Sequence, residues 1–561
     1  MPQTISIGNQ DFESIRMADD FYIDKTYFIK EWWENRDSVT LITRPRRFGK
    51  TLMLSTIEKF FSIQYADRGE LFEGLQIWKQ DEYRNLQGTY PVINVSFAQV
   101  KENTYEKMLK KMRMLIAELY RRYDFLLSSK KLNETDKKHF REILEEREDD
   151  IYCASAIKLL SQYLYLHYGK KVIILIDEYD TPMQEAYVSG YWDEVVLFTR
   201  GMFHDAFKSN PHLERGLMTG ITRVSKESIF SDLNNLKIVS VMSDKYPDSF
   251  GFTEKEVFDA LDRHGLADKK EEVKQWYDGF VFGGIKDIYN PWSICNYLDE
   301  GRLGCYWANT SSNSLINKLL KSANTDIKKM FQQLLQGEEI ETEIDEQIVF
   351  NQLDENEDAI WSLLLGTGYL KLSSIDIYGM ARLSITNFEV QLMLKKMVRG
   401  WFKSSDGKYN AFVRALLKGE LKAMNAYMND VALKTFSYFD TGKSPSERSE
   451  PEKFYHGFVL GLMVDLEKRY VLSSNRESGF GRYDVMLEPK NEEDDAILIE
   501  FKVIDKEEEK DLRETAQSAL KQIEDMQYEQ SLLAKGINKE RIRKYGFAFE
   551  GKKVLILEAE K

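Results

Sequence analysis

Short apolar runs alternate with longer helical patterns over about the first 290 residues of the chain. The segment 49–62 is predicted to be the helix that follows the first strand. This alternation of strands and helices is typical of a parallel sheet that is covered by helices. The predicted strands of this α/β domain are 38–44, 89–97, 170–180 and 213–223.

The pattern changes after residue 290, where the alternation fades and Leu-rich helical patterning continues to about residue 440. Within this region, 362–398 predicts a helix, a β-hairpin and a second helix, an arrangement that resembles a small winged-helix unit. Because such units often bind other proteins, no DNA contact is inferred from it. The segment 441–453 is rich in Ser, Pro, Gly and charge, which is typical of a linker.

Beyond the linker, the pattern predicts a smaller α/β domain. Its predicted elements are a helix at 454–470, strands at 483–487 and 496–503, a helix containing 514–526 and a final strand at 551–559. The predicted organisation is thus an α/β domain at 1–290, a helical middle region at 291–440, the linker at 441–453 and a C-terminal α/β domain at 454–561.

The composition predicts a folded cytoplasmic protein without a membrane span. The 561 residues include 78 Lys and Arg against 92 Asp and Glu, a net charge of −14, which argues against coating nucleic acid through overall charge. The three cysteines are far apart and form no CxxC pair, so neither a disulfide framework nor a structural zinc site is expected. The start of the chain lacks the pattern of a secretory signal, and the apolar runs fall short of the ~18–20 residues that cross a bilayer.

A phosphate-binding loop is predicted between the first strand and the helix after it. Lys50 is expected to contact the β- and γ-phosphates of ATP, and the Thr51 hydroxyl is expected to hold Mg²⁺. The pattern GxxxxGK[ST] has glycine where this chain has Arg44, and an arginine can take this backbone turn only if the loop avoids positive φ there. A chance GKT sequence on a basic turn is the alternative. The loop residues assigned to nucleotide binding are Arg47, Phe48, Gly49, Lys50, Thr51 and Leu52.

A second part of the same chemistry is predicted at the end of the third strand. The run VIILIDEYD is continuously apolar until Asp177 and Glu178, and ligands of parallel sheets lie beyond the carboxyl ends of strands. Asp177 is expected to hold Mg²⁺ through water. Glu178 is expected to orient and deprotonate the water that attacks the γ-phosphate. The alternative is an ordinary acidic strand end.

Several motifs together resemble the bacterial AAA-ATPase-like family. They are FYIDKTYFI, TRPRRFGKT, LIDEYDTP, TGITRVSKESIFSDLNNL, FGFTEKEV and WYDGFVFG, and they cover residues from about 5 to 300. The resemblance implies a P-loop NTPase-type sheet. It also implies that an arginine at the position of Arg44 is compatible with the phosphate-binding loop of this family. It also implies that Thr219 to Arg223 lie in the position of a nucleotide sensor. Arg223 then either reads the γ-phosphate or pairs with a nearby acid.

A second site is predicted on the strand pair of the C-terminal domain. Side chains alternate along a strand, so Glu500 and Lys502 share one face while Phe501 points into apolar packing. If the pair is antiparallel, Asp484 can lie beside them. Asp484 and Glu500 are then expected to bind Mg²⁺, and Lys502 to position or activate a water that cleaves a phosphodiester. A solvated salt bridge is the alternative.

This arrangement of a helix, a strand with Asp, a strand with Glu-x-Lys and a helix resembles the PD-(D/E)XK nuclease fold. The segments that carry the resemblance are FYHGFVLGLM, GFGRYDVML, LIEFKV, ALKQI and YGFAFEGKKV. It implies Asp484, Glu500 and Lys502 as the active-site set. Glu467 is a candidate for a further acid, although His456 occupies the more family-like position. Gln522 either supports the site or caps packing.

Substrate access needs local positive charge. The segment 535–553 contains seven basic side chains against two acidic ones, a net charge of +5 that either contacts phosphates or is a solvated edge. The sequence thus predicts an ATP-binding and ATP-hydrolysing protein coupled to a Mg²⁺-dependent nuclease-like domain that acts on nucleic acid. The alternatives are a nucleotide-dependent regulatory or scaffold protein that binds without cutting, and a P-loop that only binds nucleotide.

Overall fold

A computed structural model describes most of the chain, in two compact units. The first unit comprises Met1–Leu319 and Gly337–Gln391, and the second comprises Leu320–Gln336 and Leu392–Lys561. The predicted domain boundaries near 290 and 440 stay a prediction, and the linker at 441–453 lies outside the described residues. The described residues are 3–146, 150–222, 230, 233–308, 316–317, 319–320, 323, 325–345, 358–402, 409–435, 466, 469–478, 481–491, 493–506, 508–550 and 553–559.

The main sheet of the first unit has five parallel strands. They are β1 (Val39–Thr43), β2 (Val92–Ser96), β3 (Val172–Asp177), β4 (Leu213–Gly220) and β5 (Leu236–Val239). Their order in the sheet is β2-β3-β4-β1-β5. The α/β prediction and its four strands are confirmed. The prediction missed β5, because a four-residue edge strand that is buried only at Val239 carries little apolar pattern.

Helices cover both faces of this sheet. Along β3, Ile174 and Ile176 belong to one hydrophobic core, whereas Ile173 and Leu175 belong to the core on the opposite face. Burial on both faces explains why β3 reads as a continuous apolar run. The described helices that pack in these two cores are α1 (Phe12–Met17), α2 (Tyr27–Asn35), α3 (Lys50–Phe61), α4 (Asp81–Leu86), α5 (Tyr105–Arg121), α6 (Glu134–Leu144), α7 (Asp150–Tyr168), α8 (Thr181–Ser189) and α9 (Trp192–Phe203). The helices α10 (Glu254–Arg263), α11 (Lys270–Tyr277) and α12 (Pro291–Glu300) pack in a separate hydrophobic cluster.

Two small antiparallel sheets complete the first unit. The first is ordered β6-β8-β7, with β6 (Phe252–Thr253), β7 (Asp278–Phe282) and β8 (Ile285–Tyr289). The second is ordered β10-β11-β9, with β9 (Ile340–Glu343), β10 (Leu370–Ile375) and β11 (Met380–Ile385). A helix precedes the β10–β11 hairpin, and another follows it, so the predicted helix–hairpin–helix order is confirmed.

The described helices between residues 325 and 435 are α13 (Thr325–Leu335), α14 (Ala359–Gly366), α15 (Phe388–Phe402), α16 (Tyr409–Lys418) and α17 (Leu421–Thr435).

The second unit contains a five-stranded mixed sheet. Its strands, in the order in which they pair, are β12 (Tyr470–Ser478), β13 (Gly481–Pro489), β14 (Ala496–Val503), β15 (Ile542–Glu550) and β16 (Lys553–Glu558). Only the β14–β15 pair is parallel. The β13–β14 pair is antiparallel, and Val485 lies opposite Ile499. The predicted helix at 454–470 lies outside the described residues except near its end, where β12 begins at Tyr470.

One helix of the second unit packs very closely on the sheet. It is α18 (Leu512–Asp525), which the short helix α19 (Gln530–Ala534) follows. The buried face of α18 carries the small residues Ala516 and Ala519. A Cβ atom added at Gly546 of β15 would lie 2.3 Å from the Ala516 carbonyl oxygen. A glycine is therefore required where α18 crosses the sheet.

Among the helices that the structure describes, none combines the length and the apolar character needed to cross a bilayer.

We predict that Gly546→Ala destabilises the second unit by about 1–3 kcal/mol, because the new methyl group must push the backbone of α18 away from β15. Denaturant unfolding monitored by hydrogen exchange of β15 measures this loss. Gly201→Ala is the control, since a Cβ there meets nothing within 4 Å inside α9. Equal stability of the Gly546→Ala variant and the wild type would contradict the close packing.

Candidate functional site

The loop between β1 and α3 adopts left-handed backbone at two positions. Arg47 has a φ of 64°, and Gly49, which caps the start of α3, has a φ of 79°. Arg44 is not among the residues with positive φ. An arginine can therefore replace the usual glycine at position 44 without backbone strain. The first turn of α3 presents free N–H groups, which is the geometry that binds anions.

Arg44 points away from the loop into the protein. Its guanidinium is fully buried and donates hydrogen bonds to the carbonyl oxygens of Thr43 (2.9 Å), Ser240 (2.6 Å) and Tyr246 (3.3 Å). It also lies over the ring of Phe282, with the Cζ atom 4.8 Å from the ring centroid. Arg44 thus joins the end of β1 to the segment after β5 and leaves the anion side of the loop to other residues.

Lys50 lies inside the loop. Its Nζ atom donates to the carbonyl oxygens of Arg44 (2.8 Å) and Pro45 (2.7 Å). Burial lowers the pKa of Lys50 to about 8, although the negative charges of Asp177, Asp180 and Glu178 oppose this shift. A bound anion would offer this amine a stronger partner than two neutral carbonyl groups do.

Asp177 brings the loop and the sheet together. Its carboxylate is 3% exposed, and one oxygen accepts a hydrogen bond from the Thr51 hydroxyl at 2.7 Å. The other oxygen accepts from the Thr219 hydroxyl of β4. The predicted residues Thr51 and Asp177 are therefore adjacent. Their carboxylate and hydroxyl oxygens are hard ligands of the kind that Mg²⁺ takes, so this donor set fits the ion.

Glu178 follows Asp177 with strained backbone. Its φ is 49°, an uncommon value for a residue other than glycine, and such outliers cluster at functional sites. The Thr181 hydroxyl donates to one carboxylate oxygen at 3.2 Å, and the side chain is half-buried against a cavity. Glu178 can therefore hold a water in that cavity and accept a proton from it.

Asp180 was not among the predicted site residues. It is 1% exposed, and one of its oxygens accepts from the backbone N–H groups of Ile221 (3.0 Å) and Thr222 (2.9 Å) and from Gln184 (2.8 Å). Asp180 thus anchors the exit of β4 beside the loop. Arg223, the predicted reader of the γ-phosphate, lies outside the described residues.

A cavity of about 470 Å³ covers the loop. Arg47 lies at its wall, with the guanidinium Cζ atom 4.3 Å from the ring centroid of Trp292. Phe48 packs edge-on against Phe280 and Phe282 of β7, and Leu52 packs on the core around α3. The cavity lining also includes Ile5, Ile7, Phe21, Ile23, Gly49, Lys50, Thr51, Lys101, Glu178, Thr181, Glu185 and Phe252.

In the second unit, two carboxylates and an amine lie on neighbouring strands. Asp484 of β13 accepts the backbone N–H of Phe501 at 2.9 Å, and Glu500 of β14 accepts the backbone N–H of Asp484 at 3.3 Å. Glu500 is 2% exposed. The Lys502 amine donates to the Ser518 hydroxyl of α18 at 3.0 Å. Phe501, which lies between Glu500 and Lys502 on β14, packs against Phe547.

Burial sets the charge state of this group. Removal from water raises the pKa of Asp484 to about 6, while the Phe501 N–H and the charge of Lys502 act in the opposite direction. A bound cation would favour the ionised form and return some of the cost of burying it. Two adjacent carboxylates, Asp484 and Glu500, are oxygen ligands that fit a hard divalent ion such as Mg²⁺.

Helix α18 completes the second group with residues on one face. Gln522 donates to Glu500 and also to the Tyr528 hydroxyl at 3.3 Å. Ser518 lies one turn before Gln522 and holds Lys502. Gln522 therefore supports the carboxylate. Ser518 and Tyr528 were not predicted, although the four-residue spacing of two polar side chains on α18 was readable. His456 and Glu467 lie outside the described residues.

The basic segment at 535–553 is mostly paired with acids. Arg541 and Arg543 both contact Asp495, and the Arg543 contact is 2.7 Å. The other pairs are Lys535 with Glu488 (2.6 Å) and Lys544 with Glu529 (3.0 Å). The net charge of +5 counted along the sequence is thus largely neutralised by carboxylates from elsewhere in the second unit.

Comparison with known proteins matches both ends of the chain. Residues 6–230 match the model of the AAA-ATPase-like family, described as a predicted AAA-ATPase, and residues 450–559 match the model of a PD-(D/E)XK nuclease superfamily. An uncharacterized protein in the vnfD 5′ region of Azotobacter chroococcum mcd 1 is 28% identical over 321 residues. The alignment covers 56% of this chain and 56% of that relative, so the chain spans about half the length of the relative. Both predicted family resemblances are confirmed.

We predict that Mn²⁺ binding to the second unit weakens as the pH falls through about 6, because protonation of Asp484 removes a carboxylate ligand. The Mn²⁺ dissociation constant should rise up to about tenfold per pH unit below that value. Titration calorimetry between pH 5 and 7.5 measures it. Asp484→Asn is the control and should bind weakly at every pH; wild-type binding that is independent of pH would contradict the assignment.

Proposed function

Because residues 6–230 belong to the AAA-ATPase-like family and residues 450–559 to the PD-(D/E)XK nuclease superfamily, we propose that ATP binding and hydrolysis control a Mg²⁺-dependent nuclease in one chain. The observation that carries the proposal is the 2.7 Å hydrogen bond between Thr51 and Asp177. It joins the phosphate loop to the strand that ends in Asp177 and Glu178. The second support is the adjacent pair of Asp484 and Glu500.

ATP binding would use the loop amides and Lys50. On binding, the Lys50 amine exchanges its two carbonyl partners for phosphate oxygens, and the amides at the start of α3 face the same charge. Thr51 and Asp177 would hold Mg²⁺, which neutralises phosphate charge when it is bound. Thr219 keeps Asp177 in place by donating to its second oxygen.

The nucleoside would occupy the apolar end of the cavity. In the sheet, β1 lies between β4 and β5, and Glu178 follows β3, on the β4 side of the loop. Lys25 donates to the Asp248 carbonyl at 2.8 Å and so ties its own segment to the chain between β5 and β6. Apolar residues that line the same cavity include Ile5, Ile7, Phe21, Ile23 and Phe252.

Hydrolysis would start from a water held by Glu178. The carboxylate accepts a proton from this water while the oxygen attacks the γ-phosphorus, and the bond to the β-phosphate oxygen breaks to release ADP and phosphate. Thr181 orients the carboxylate through its 3.2 Å hydrogen bond.

Cleavage of nucleic acid would use the group in the second unit. Asp484 and Glu500 would hold Mg²⁺, which polarises a phosphodiester when it is bound. Lys502, fixed by Ser518, would position the attacking water. The water oxygen forms a bond to phosphorus while one ester P–O bond breaks, and the proton that the water loses ends on the departing ester oxygen. Gln522 keeps Glu500 in position from α18.

A second candidate is a nucleotide-dependent regulatory or scaffold protein that binds a partner without cutting. The pairing of the basic segment favours it, because Arg541, Arg543 and Lys544 already contact carboxylates. These side chains offer little free charge for a phosphate backbone.

We predict that ATP binds at least about tenfold more tightly than inorganic triphosphate, because the base would bury apolar surface in the cavity. Phe252→Ala should weaken ATP binding and leave triphosphate binding unchanged. Phe258→Ala is the control, since Phe258 packs on the same core but does not line the cavity. Calorimetric titration measures both ligands, and equal affinity for the two would contradict the nucleoside site.

We predict that Glu178→Gln lowers kcat for ATP hydrolysis by about 100-fold or more, since the amide cannot accept the proton of the attacking water. ATP affinity should stay within about twofold of the wild type. Phosphate release at saturating Mg²⁺ and ATP measures the rate. The matched control is Glu185→Gln on α8, which also lines the cavity; similar losses in both variants would exclude Glu178 as the base.

We predict that Mg²⁺-dependent cleavage of single-stranded or duplex substrates changes with ATP and is lost, by about 100-fold or more, in Lys502→Ala. Lys50→Ala should abolish the ATP effect. Lys521→Ala is the control, because Lys521 is exposed on α18 near the same site. Equal cleavage by wild type, Lys50→Ala and Lys502→Ala would reject the nuclease. Binding of nucleic acid without cleavage would favour the regulatory candidate.

A further inference from the structure

The Arg46 carbonyl of the phosphate loop is held by two side chains from beyond the main sheet. The indole Nε1–H of Trp307 donates to it at 3.0 Å, and the side-chain amide of Asn290 donates at 3.3 Å. A peptide group has its carbonyl and its N–H on opposite sides. Holding the carbonyl therefore fixes the direction of the next N–H in the loop, that of Arg47.

Trp307 is itself held rigidly. It is 4% exposed, and its ring packs edge-on against Phe280, with centroids 5.6 Å apart, and against Tyr369 at 5.4 Å. Its backbone N–H donates to the Glu389 carboxylate at 2.7 Å. The orientation of the indole is thus determined both by packing and by the hydrogen bond from the Trp307 backbone to Glu389.

Glu389 is a buried acid with neutral partners. It is 1% exposed, at the start of α15, and it accepts from the backbone N–H groups of Trp307 and Ala308 (3.2 Å) and from the Ser293 hydroxyl (2.8 Å). Among the residues that the structure describes, no lysine or arginine forms an ion pair with it. Burial of a carboxyl group without a cation is costly, and these hydrogen bonds offset part of that cost while they join α15 to the segment at 307–308.

The hairpin region before α15 also touches the loop directly. A Cβ atom added at Gly368 would lie 2.7 Å from Pro45 Cγ, and one added at Gly279 would lie 1.9 Å from the Thr386 carbonyl oxygen. The winged-helix-like element, consisting of β9, α14, β10, β11 and the start of α15, therefore contacts the loop one residue before the carbonyl that Trp307 holds.

From these contacts we propose that Trp307 and Glu389 are positioning residues of the phosphate loop, through which the winged-helix-like element sets the loop shape that binds triphosphate. The inference rests on the proposed nucleotide binding and adds to it the residues that shape the site. Neither side chain touches the nucleotide in this proposal. They act through the Arg46 carbonyl.

The test compares variants that remove one donor each. Trp307→Phe keeps an aromatic ring but loses the N–H to Arg46, and we expect the dissociation constants for ATP and inorganic triphosphate to rise about three- to tenfold. The matched control is Trp361→Phe. Trp361 is buried in α14, and its indole N–H has no hydrogen-bond partner among the described residues, so its loss should leave both constants within about twofold of the wild type.

A second pair of variants tests Glu389 without depending on Trp307. Glu389→Gln keeps a carbonyl oxygen for the Trp307 and Ala308 N–H groups, and we expect near-wild-type binding of ATP and triphosphate. Glu389→Ala removes both acceptor oxygens, and we expect it to raise both constants at least as much as Trp307→Phe. Calorimetric titration of the full chain measures binding, and a thermal melt of each variant shows whether it is folded.

The outcomes separate the two proposals. Equal effects of Trp307→Phe and Trp361→Phe, or equal effects of Glu389→Gln and Glu389→Ala, would overturn the positioning role while nucleotide binding stands. Wild-type protein that binds neither ATP nor triphosphate would overturn the proposed function and this inference with it. Weaker binding in Trp307→Phe and Glu389→Ala alone would support the inference.

Discussion

The first unit depends on the buried carboxylate of Asp177. It sits at the end of a strand that is covered on both faces, and it accepts hydroxyl groups from Thr51 of α3 and Thr219 of β4. An ionised acid in such a place is tolerated only when its oxygens are satisfied. The same two hydrogen bonds therefore satisfy the buried carboxylate and bring together the residues that we propose hold Mg²⁺.

The loop above Asp177 shows how a charged residue can substitute for glycine. An arginine would be unfavourable at position 44 if the loop required positive φ there, but Arg44 is not among the residues with positive φ. Its side chain turns inward, where the carbonyl oxygens of Thr43, Val239, Ser240 and Tyr246 accept from the guanidinium and the Phe282 ring packs on it. Lys50 remains the loop cation that we assign to phosphate, and burial lowers its pKa to about 8.

In the second unit, polar side chains beside the core are likewise satisfied by hydrogen bonds, and here a helix supplies them. Strand alternation directs Glu500 and Lys502 away from the Phe501 core, and the antiparallel partner supplies Asp484. Helix α18 then satisfies the polar side chains through Ser518 and Gln522. The helix can reach them because Gly546 allows it to lie against the sheet.

The sequence by itself determined the α/β class, the main parallel strands, the strand pair of the C-terminal domain and the candidate residues Lys50, Thr51, Asp177, Glu500 and Lys502, because alternation and local motifs depend on near neighbours. Only the tertiary structure decided the direction of Arg44, the pairing of the basic segment and the contact of Trp307 with Arg46. These features join residues that are distant in the chain, and no local pattern encodes which distant group will fill a buried space.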